Sequence, residues 1–215
     1  MKFSEKCPFC KETRFLNNEM VGLPVEECVL FESDTLYVGV DISPLCRGHV
    51  LLITREHYFN FYELPWRIKK EVQKLQNCLR KLYKEIYGKN ILFFEHGSNK
   101  PGTAGSSIDH AHLHCIPFDG DVKETLDVLL GMGVECDILK ESEYKNEFSY
   151  VYIDDGENKI IYKVENLDSQ FLRRILTEQL HEQDYLWQEK CLNKKSIVNL
   201  EKTIVDLKGK VTSKE

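Results

Sequence analysis

The chain has 215 residues, of which 42% are hydrophobic and 30% are charged, which is enough for a buried core in one domain, with or without an appendage. Its formal net charge of −6 argues against a general nucleic-acid or membrane-surface binder, although a local pocket for a small anion stays compatible with it. The polar first residues predict no signal peptide, no apolar run approaches the ~18 residues of a membrane span, and we therefore expect a soluble, cytoplasmic protein.

The first half of the chain predicts three strands and then a long helix. Residues 26–32, 35–41 and 48–53 have strand-like apolar patterns, and the third is apolar enough to be central. A helix is predicted from Pro65 to Tyr87, because apolar residues recur at every third or fourth position. These residues are Ile68, Val72, Leu75, Leu79, Leu82 and Ile86. Such a stripe usually packs in a core, but it would also suit a dimer interface.

The second half predicts a mixture of strands and shorter helices. A fourth strand at 90–95 leads into a Gly/Ser-rich loop at 96–107 and a fifth strand that ends at Pro117. A short helix at 122–130 and a hairpin at 148–164 follow. Two further helices are predicted, one from Ser169 and one from about Ser196 to Leu207. This order predicts an α+β fold, in which helices pack against a mainly antiparallel sheet, with a C-terminal hairpin and helical extension.

Three of the seven histidines, His110, His112 and His114, alternate in the stretch IDHAHLH at 108–114. On a strand they would lie on one face, and the residues between them would point inward. Three interpretations are open: a polar edge strand, a metal site made of histidines, or a catalytic site. In the last case one histidine is a nucleophile or base, since imidazole attacks and exchanges protons near neutral pH.

The loop before these histidines favours the catalytic interpretation. Gly102, Gly105, Ser106 and Ser107 offer bare backbone N–H groups and two hydroxyls, which suit phosphate oxygens. A Gly-rich loop alone is weak evidence, because most such loops are only turns. A Gly/Ser loop that runs straight into three alternating histidines is a much stronger indication of a phosphate site.

The eight cysteines fall into two groups. Six are scattered and predicted to be buried thiols: Cys28, Cys46, Cys78, Cys115, Cys136 and Cys191. Cys7 and Cys10 form a Cys-x-x-Cys pair with the spacing of a metal-binding knuckle. A redox pair and a chance spacing are the alternatives.

The histidine stretch and its surroundings resemble the histidine triad (HIT) superfamily of nucleotide hydrolases and transferases, whose signature is His-x-His-x-His. Gly48-His49 before an apolar strand and Asp41-Ile-Ser-Pro44 upstream are similar to further family features, so the strong resemblance spans 26–118. It implies a Cys-x-x-Cys zinc-knuckle segment at 1–25 and a HIT-like catalytic core at 26–120. Residues 121–215 are then an α/β extension packed on the core.

The resemblance implies that His112, the middle histidine, attacks the α-phosphorus of a nucleotide and forms a covalent nucleotidyl intermediate. It implies supporting catalytic roles for His110, His114 and Ser107, the last near the leaving group. The implied nucleotide- and phosphate-binding residues are Asp41, His96, Gly105, Ser106 and Ser107. Many family members have an asparagine where this chain has His96 and a glutamine where it has Ser106, so the leaving-group preference stays open.

The resemblance also implies a structural zinc ion. Some triad proteins, and the related galactose-1-phosphate uridylyltransferases, bind zinc with a cysteine pair and two histidines. By position the ligands here are Cys7, Cys10, His57 and His110. Four protein ligands close the coordination sphere, which is typical of a structural site.

The expected function is that of a nucleotide hydrolase or nucleotidyltransferase acting on a small-molecule nucleotide. The alternatives are a sugar-phosphate nucleotidyltransferase and a non-catalytic nucleotide-binding protein with a structural zinc. Neither nucleic acid nor a membrane is expected as a ligand, and a homodimer is compatible with the helix stripe. In the C-terminal part, Arg173 or Arg174 is predicted to approach the ligand phosphates, with an ordinary solvent-facing helix start as the alternative.

Overall fold

The computed structural model describes residues 7–10, 25–141, 147–182, 186 and 193–213. The strands are β1 (Val29–Glu32), β2 (Leu36–Val40), β3 (Val50–Thr54), β4 (Ile91–Gly97), β5 (His112–Pro117), β6 (Val134–Glu135), β7 (Ser149–Asp154) and β8 (Lys159–Val164). The helices are α1 (Val25–Cys28), α2 (Trp66–Tyr87), α3 (Val122–Leu130), α4 (Phe171–Gln179) and α5 (Lys194–Leu207).

The described strands form one eight-stranded sheet in the order β1-β2-β3-β5-β4-β7-β8-β6. Neighbouring strands pair antiparallel, and β7 pairs with β4, so the C-terminal hairpin continues the sheet of the first half. Helices pack on both faces, which confirms the predicted α+β fold with an antiparallel sheet.

Helix α2 covers one face of the sheet. It begins after Pro65 and ends at Gly88, whose φ of 66° is left-handed and therefore suits glycine. The predicted stripe packs into the core on this face, with Ile68, Val72, Leu75 and Leu79 buried and Leu82 and Ile86 half-buried beside them. This confirms the core interpretation of the stripe, whereas the homodimer stays a prediction.

The opposite face carries α3 and α4. Leu126 of α3 and Leu172 of α4 pack with Phe94 of β4, and the ring of His114 stacks on Phe94 with centroids 4.4 Å apart. The residues that alternate with the strand histidines pack in the core against α2, as predicted: Ala111, Leu113 and Cys115. The alternation of β5 therefore separates a hydrophobic core on one face from imidazole groups on the other.

Several predicted boundaries are corrected by local hydrogen bonding. The first half of the predicted strand at 26–32 is wrong, because it forms the helical turn α1. Helix α4 begins two residues after Ser169, since Gln170 has a left-handed φ of 63°. Helix α5 begins two residues before Ser196, because the side chain of Asn193 caps it. The helix at 122–130 and the hairpin at 148–164 are confirmed as α3 and as β7 and β8.

The predicted histidine strand is too long at its beginning. Strand β5 starts at His112, and His110 lies in a bend before it, where its N–H donates to Ile108 O at 2.9 Å. His112 and His114 lie within the strand and therefore point to the same face of the sheet, as predicted. His110 lies outside the strand, so this prediction does not apply to it.

The prediction of buried thiols is only partly correct. Cys28 and Cys115 are buried. Three others are half-buried: Cys46, Cys78 and Cys136. Cys46 and Cys136 pack against the edges of the two hydrophobic cores. Cys191 lies outside the described residues. None of the helices in the described part of the chain has the length and apolarity to span a lipid bilayer.

A buried carboxyl group on β4 couples the stability of the fold to pH. Glu95 accepts hydrogen bonds from Phe61 N–H at 2.9 Å and from the Tyr150 hydroxyl at 2.7 Å. Burial raises the pKa of Glu95 to about 8. The pKa in the folded state exceeds the unfolded value of about 4.3. The protonated carboxyl group therefore stabilises the folded protein fully below that pH, and this stabilisation is lost as the pH rises through 8.

We expect Glu95→Gln, which is neutral at every pH, to remove much of this pH dependence. The free energy of unfolding of the unmodified protein should fall between about pH 5 and pH 8, and that of the variant should fall less. Urea unfolding at several pH values measures both. The exposed Glu157→Gln is the matched control. Equal pH dependence in the Glu95 variant and the unmodified protein would contradict a neutral buried carboxyl.

Candidate active site

An open cleft with an empty volume of about 930 Å³ lies on the α4 face of the sheet. One part of its wall is largely apolar and includes Phe9, Cys28, Val29, Tyr37, Ile42, Leu51 and Ile53. The other part is polar and includes Asp41, His96, Gly105, Ser106, Ser107, His112, His114, Gln170 and Arg173. All five predicted nucleotide-binding residues and three of the four predicted catalytic residues line this one cleft.

The ring of His112 is held in a defined tautomer. Its Nδ1 lies 2.6 Å from the carbonyl oxygen of His110. A carbonyl oxygen only accepts hydrogen bonds, so Nδ1 carries the proton and Nε2 keeps a lone pair. Burial lowers the pKa of His112, which keeps the ring neutral near physiological pH. A neutral imidazole with a free lone pair on Nε2 is the form that can act as a nucleophile.

The ring of His114 is held in the opposite tautomer by two hydrogen bonds in series. Leu45 N–H donates to His49 Nδ1 at 3.0 Å, so the proton of a neutral His49 ring lies on Nε2. His49 Nε2 lies 2.9 Å from His114 Nδ1 and donates to it. The proton of His114 is therefore on Nε2. Burial lowers the pKa of His114 well below its ordinary value, so this ring is a neutral donor.

His96 also has an assigned tautomer. Leu172 N–H, in the first turn of α4, donates to His96 Nε2 at 3.2 Å. Burial lowers the pKa of His96 to about 3, so the ring is neutral and its proton lies on Nδ1. His96 thus offers one N–H donor, as an asparagine side chain at this position would.

The Gly/Ser loop is shaped by the segment before α4. Gly105 has a φ of 73°, and a Cβ atom built on it would lie 2.5 Å from Asp168 O, so only glycine fits here. Gln170 N–H donates to Gly105 O at 2.7 Å, and the hydroxyls of Ser107 and Ser169 lie 2.9 Å apart. The loop that carries the predicted phosphate donors is therefore fixed by the C-terminal part of the chain.

The two arginines of α4 have different environments. Arg173 is buried and lines the cleft, with NH1 donating to Asp41 Oδ2 at 3.1 Å and NH2 to Ser43 O at 2.6 Å. Arg174 is exposed, and its guanidinium lies over the ring of Phe171, 5.7 Å from the centroid. Of the two candidates, only Arg173 reaches the cleft, where its donors engage the β2–β3 connection.

Four side chains form a cluster that could bind a metal: Cys7, Cys10, His57 and His110. Cys7 Sγ lies 3.3 Å and Cys10 Sγ 3.8 Å from His110 Nδ1, and Cys10 Sγ lies 3.4 Å from His57 Nδ1. Two ligands of one tetrahedral zinc ion lie roughly 3.3–3.8 Å apart, so these distances fit zinc. The predicted ligand set is thus brought together, with His110 here instead of in the cleft wall.

The surroundings of the cluster also fit a metal. His110 Nε2 donates to Thr54 O at 2.8 Å, which leaves the lone pair of Nδ1 directed at the cysteines. Burial lowers the pKa of His110 to about 3 and raises that of the Cys7 thiol to about 11. The imidazole is therefore neutral, as a ligand must be, and a cation would supply the charge that favours the thiolate.

A second group of potential ligands, Asp41, His49 and His114, lies within metal-binding distance. The hydrogen bond from Leu45 N–H to His49 Nδ1 places the proton of a neutral His49 on Nε2, the atom that faces the other two residues. A protonated nitrogen is not a metal ligand. This group is better explained as a hydrogen-bonded support for His114.

Phe9 is one of several cleft residues that the sequence pattern does not indicate. Its ring lies edge-on to His112 with centroids 5.1 Å apart, and the Tyr37 hydroxyl donates to Phe9 O at 3.3 Å. Its position between the two cysteines of the knuckle was the available signal, because a metal would fix this turn. Phe9 connects the metal-binding cluster to the cleft.

Comparison with known proteins shows the family to which the chain belongs. Residues 1–129, more than half of the chain, match the family model described as "Protein similar to CwfJ C-terminal". The chain therefore belongs to this family within the HIT-like superfamily. The matched region contains the cysteine pair and the histidine stretch, and it ends before β7, β8 and α4.

Two relatives illustrate the similarity. An uncharacterized HIT-like protein of Methanocaldococcus jannaschii is 32% identical over 120 residues, which cover 54% of this chain and 81% of that protein. The adenosine 5'-monophosphoramidase of Saccharomyces cerevisiae is 27% identical over 112 residues, which cover 52% of this chain and 61% of the enzyme. Among solved structures, a HIT family protein from Bacillus anthracis is 22% identical, with a TM-score of 0.42 and coverage of 55% of this chain and 77% of that chain.

Proposed function

We propose that this protein is a nucleotide hydrolase or nucleotidyltransferase that acts at the α-phosphate through a covalent nucleotidyl-His112 intermediate. The observation that carries the proposal is the hydrogen bond from His112 Nδ1 to His110 O, at 2.6 Å, which leaves the lone pair of Nε2 in the cleft. The similarity to an adenosine 5'-monophosphoramidase supports the same class of reaction.

The first step transfers the nucleotidyl group to the protein. His112 Nε2 donates its electron pair to the α-phosphorus and forms an N–P bond, while the bond from phosphorus to the leaving group breaks and its electron pair departs with that group. The leaving group takes up a proton from water, and the proposal assigns to the Ser107 hydroxyl, 2.9 Å from the Ser169 hydroxyl, a hydrogen bond to the leaving atom. In the second step the oxygen of water, or of another hydroxyl acceptor, bonds to the phosphorus and gives up its proton to the solvent, while the N–P bond breaks and its electron pair returns to His112 Nε2.

The charge that develops on the phosphoryl oxygens requires fixed donors. The tautomers assigned above supply two, the Nε2–H of His114 and the Nδ1–H of His96, both on residues that line the cleft. The loop at Gly105, Ser106 and Ser107 supplies backbone N–H groups and hydroxyls. Because these groups are neutral and held by the fold, they can stabilise the transition state without rearranging.

The apolar part of the wall is proposed to hold the nucleoside. Phe9, Tyr37, Leu51 and Ile53 pack together on this side of the cleft. An aromatic ring and aliphatic side chains suit the faces of a nucleobase.

We further propose that Cys7, Cys10, His57 and His110 hold a structural zinc ion. When bound, zinc supplies a rigid link between the cysteine turn and His110, and it takes no part in the reaction. The turn carries Phe9 into the cleft wall, and the His110 carbonyl fixes the tautomer of His112. The cluster is thereby proposed to support both the nucleoside side and the reactive side of the cleft.

The proposal is tested by intact-mass spectrometry after brief incubation with three kinds of substrate. These are an adenosine phosphoramidate, a diadenosine polyphosphate and a nucleoside diphosphate sugar. We expect a mass increase of one nucleotidyl group, located on His112 by peptide mapping, or release of the nucleoside monophosphate. A protein that binds nucleotide but gives neither adduct nor turnover with any of the three would instead be a non-catalytic nucleotide-binding protein.

A further inference from the structure

Arg173 reaches the cleft from a part of the chain outside the region matched by the family model, which ends at residue 129. It lies in the first turn of α4 and is only 4% exposed. Burying a guanidinium is costly unless it is paired and hydrogen-bonded. Its pairing here is specific, with Asp41 Oδ2 at 3.1 Å and with Ser43 O at 2.6 Å.

Asp41 links this guanidinium to the ring pair of His49 and His114. Asp41 Oδ2 lies 3.4 Å from His49 Nε2 and 3.8 Å from His114 Nδ1, while its Oδ1 accepts from Ser43 N–H at 2.7 Å. One carboxylate oxygen thus contacts the guanidinium on one side and lies beside the shared proton of the two imidazoles on the other. Asp41 therefore connects Arg173 to the two imidazoles, and a change at Arg173 can reach His114 through it.

We infer that Arg173 is a positioning residue that acts through Asp41. It holds Asp41 ionised and in place, so that His49 keeps donating to His114 and the proton of His114 stays on Nε2. The inference rests on the donor role of His114 proposed above. It assigns Arg173 to the support of the reactive imidazoles, whereas the sequence had suggested direct contact with the ligand phosphates.

The electrostatics agree with this geometry. Burial opposes the ionisation of Asp41, but the neighbouring His49, the guanidinium of Arg173 and the hydrogen bond from Ser43 N–H together outweigh it and lower the pKa of Asp41. Burial is also the main cause of the low pKa of His114, and the positive charge of Arg173 lowers it further. The charged and titratable groups that face His114 come from its own strand, the β2–β3 connection, β4 and α4: His112, Asp41, His49, His96 and Arg173.

Removal of the guanidinium leaves the carboxylate of Asp41 without its partner beside two imidazoles. The group formed by Asp41, His49 and His114 should then take up a proton at higher pH, because one nearby positive charge is gone. A protonated His114 can no longer accept from His49. For Arg173→Ala we expect the acid limb of the pH profile of kcat/KM to move up by about one unit or more.

Two measurements separate this role from a merely structural one. The first is the pH profile of kcat/KM, and the second is the NMR titration of the histidine rings, which requires no substrate. We expect the His114 resonances of Arg173→Ala to titrate at higher pH than in the unmodified protein. Arg174→Ala, which removes the exposed neighbouring arginine, is the matched control and should behave like the unmodified protein in both measurements.

An unchanged His114 titration in folded Arg173→Ala, or an equal change in Arg174→Ala, would overturn the inference. A higher KM with an unchanged pH profile would also overturn it, in favour of direct contact between Arg173 and the substrate. Arg173→Lys keeps the charge but loses the planar pair of donors, so we expect a smaller shift in the same direction. No shift in that variant would contradict the inference even if the alanine variant did not fold.

The proposed function and this inference can fail separately. If the unmodified protein shows no nucleotidyl adduct and no turnover, the proposed function fails, and the NMR titration still decides whether Arg173 controls the protonation of His114. If turnover is present and the titration does not respond to Arg173, the proposed function stands and this inference fails.

Discussion

Replacement of His112 by alanine is expected to lower nucleotidyl turnover by about 10⁴-fold or more, because in the proposed mechanism this residue supplies the atom that bonds to phosphorus. Affinity for the nucleotide should change far less, since the apolar wall and the Gly/Ser loop remain. His112→Gly should show the same loss, with part of the activity restored by added imidazole, which can occupy the vacated space. Turnover is measured as released nucleoside monophosphate, and affinity by calorimetry.

The control for this prediction is His181→Asn. His181 is exposed after the end of α4, and its φ of 54° is a left-handed value that asparagine tolerates well. This variant should keep full turnover. If His112→Ala retained more than about one hundredth of the activity, His112 would not be the nucleophile, and another group in the cleft would have to perform the attack.

Loss of the metal-binding cluster is expected to have the second largest effect. Native protein purified without chelators should contain about one zinc ion per chain, and Cys10→Ser should contain little. Because a structural zinc contributes its binding energy to folding, the melting temperature should fall by about 10 °C or more. Nucleotide affinity should fall as well, since the turn that carries Phe9 is no longer fixed.

Cys78→Ser is the matched control for the cluster. Cys78 is half-buried on α2, where its thiol contacts Lys210 O at 3.9 Å. This variant should keep its zinc, its melting temperature within about 2 °C and its nucleotide affinity. Native protein without zinc, or a Cys10→Ser variant as stable as Cys78→Ser, would contradict a structural metal site.

Much of the fold could be predicted because the local signals agree with the tertiary structure. The stripe of α2 has one clear period, and Pro65 and Gly88 mark its ends. Strand β5 could be placed because histidines and apolar residues alternate at His112 and His114. Local pattern failed where long-range contacts decide the conformation, as at His110, which lies in a bend beside Cys7, more than 100 positions away in sequence.

Only those residues of the candidate site that lie close together in the sequence could be predicted. The histidines and the Gly/Ser loop are adjacent in sequence, so residue types and spacing identified them. Phe9 and the role of Arg173 could not be predicted in this way. Phe9 is an aromatic residue with no distinguishing sequence pattern. Arg173 is one of two neighbouring arginines, and only the packing of α4 shows that Arg173 is the one in the cleft.

The contacts between α4 and the cleft have a consequence for the design of variants. The family-matched region ends at residue 129, whereas the segment at 168–173 fixes the Gly/Ser loop, the ring of His96 and the carboxylate of Asp41. Changes in this late segment can therefore alter the shape and the hydrogen bonds of the cleft while the histidine stretch stays the same. Replacements at 168–173 therefore offer a way to reshape the cleft by protein engineering without changing the histidine stretch.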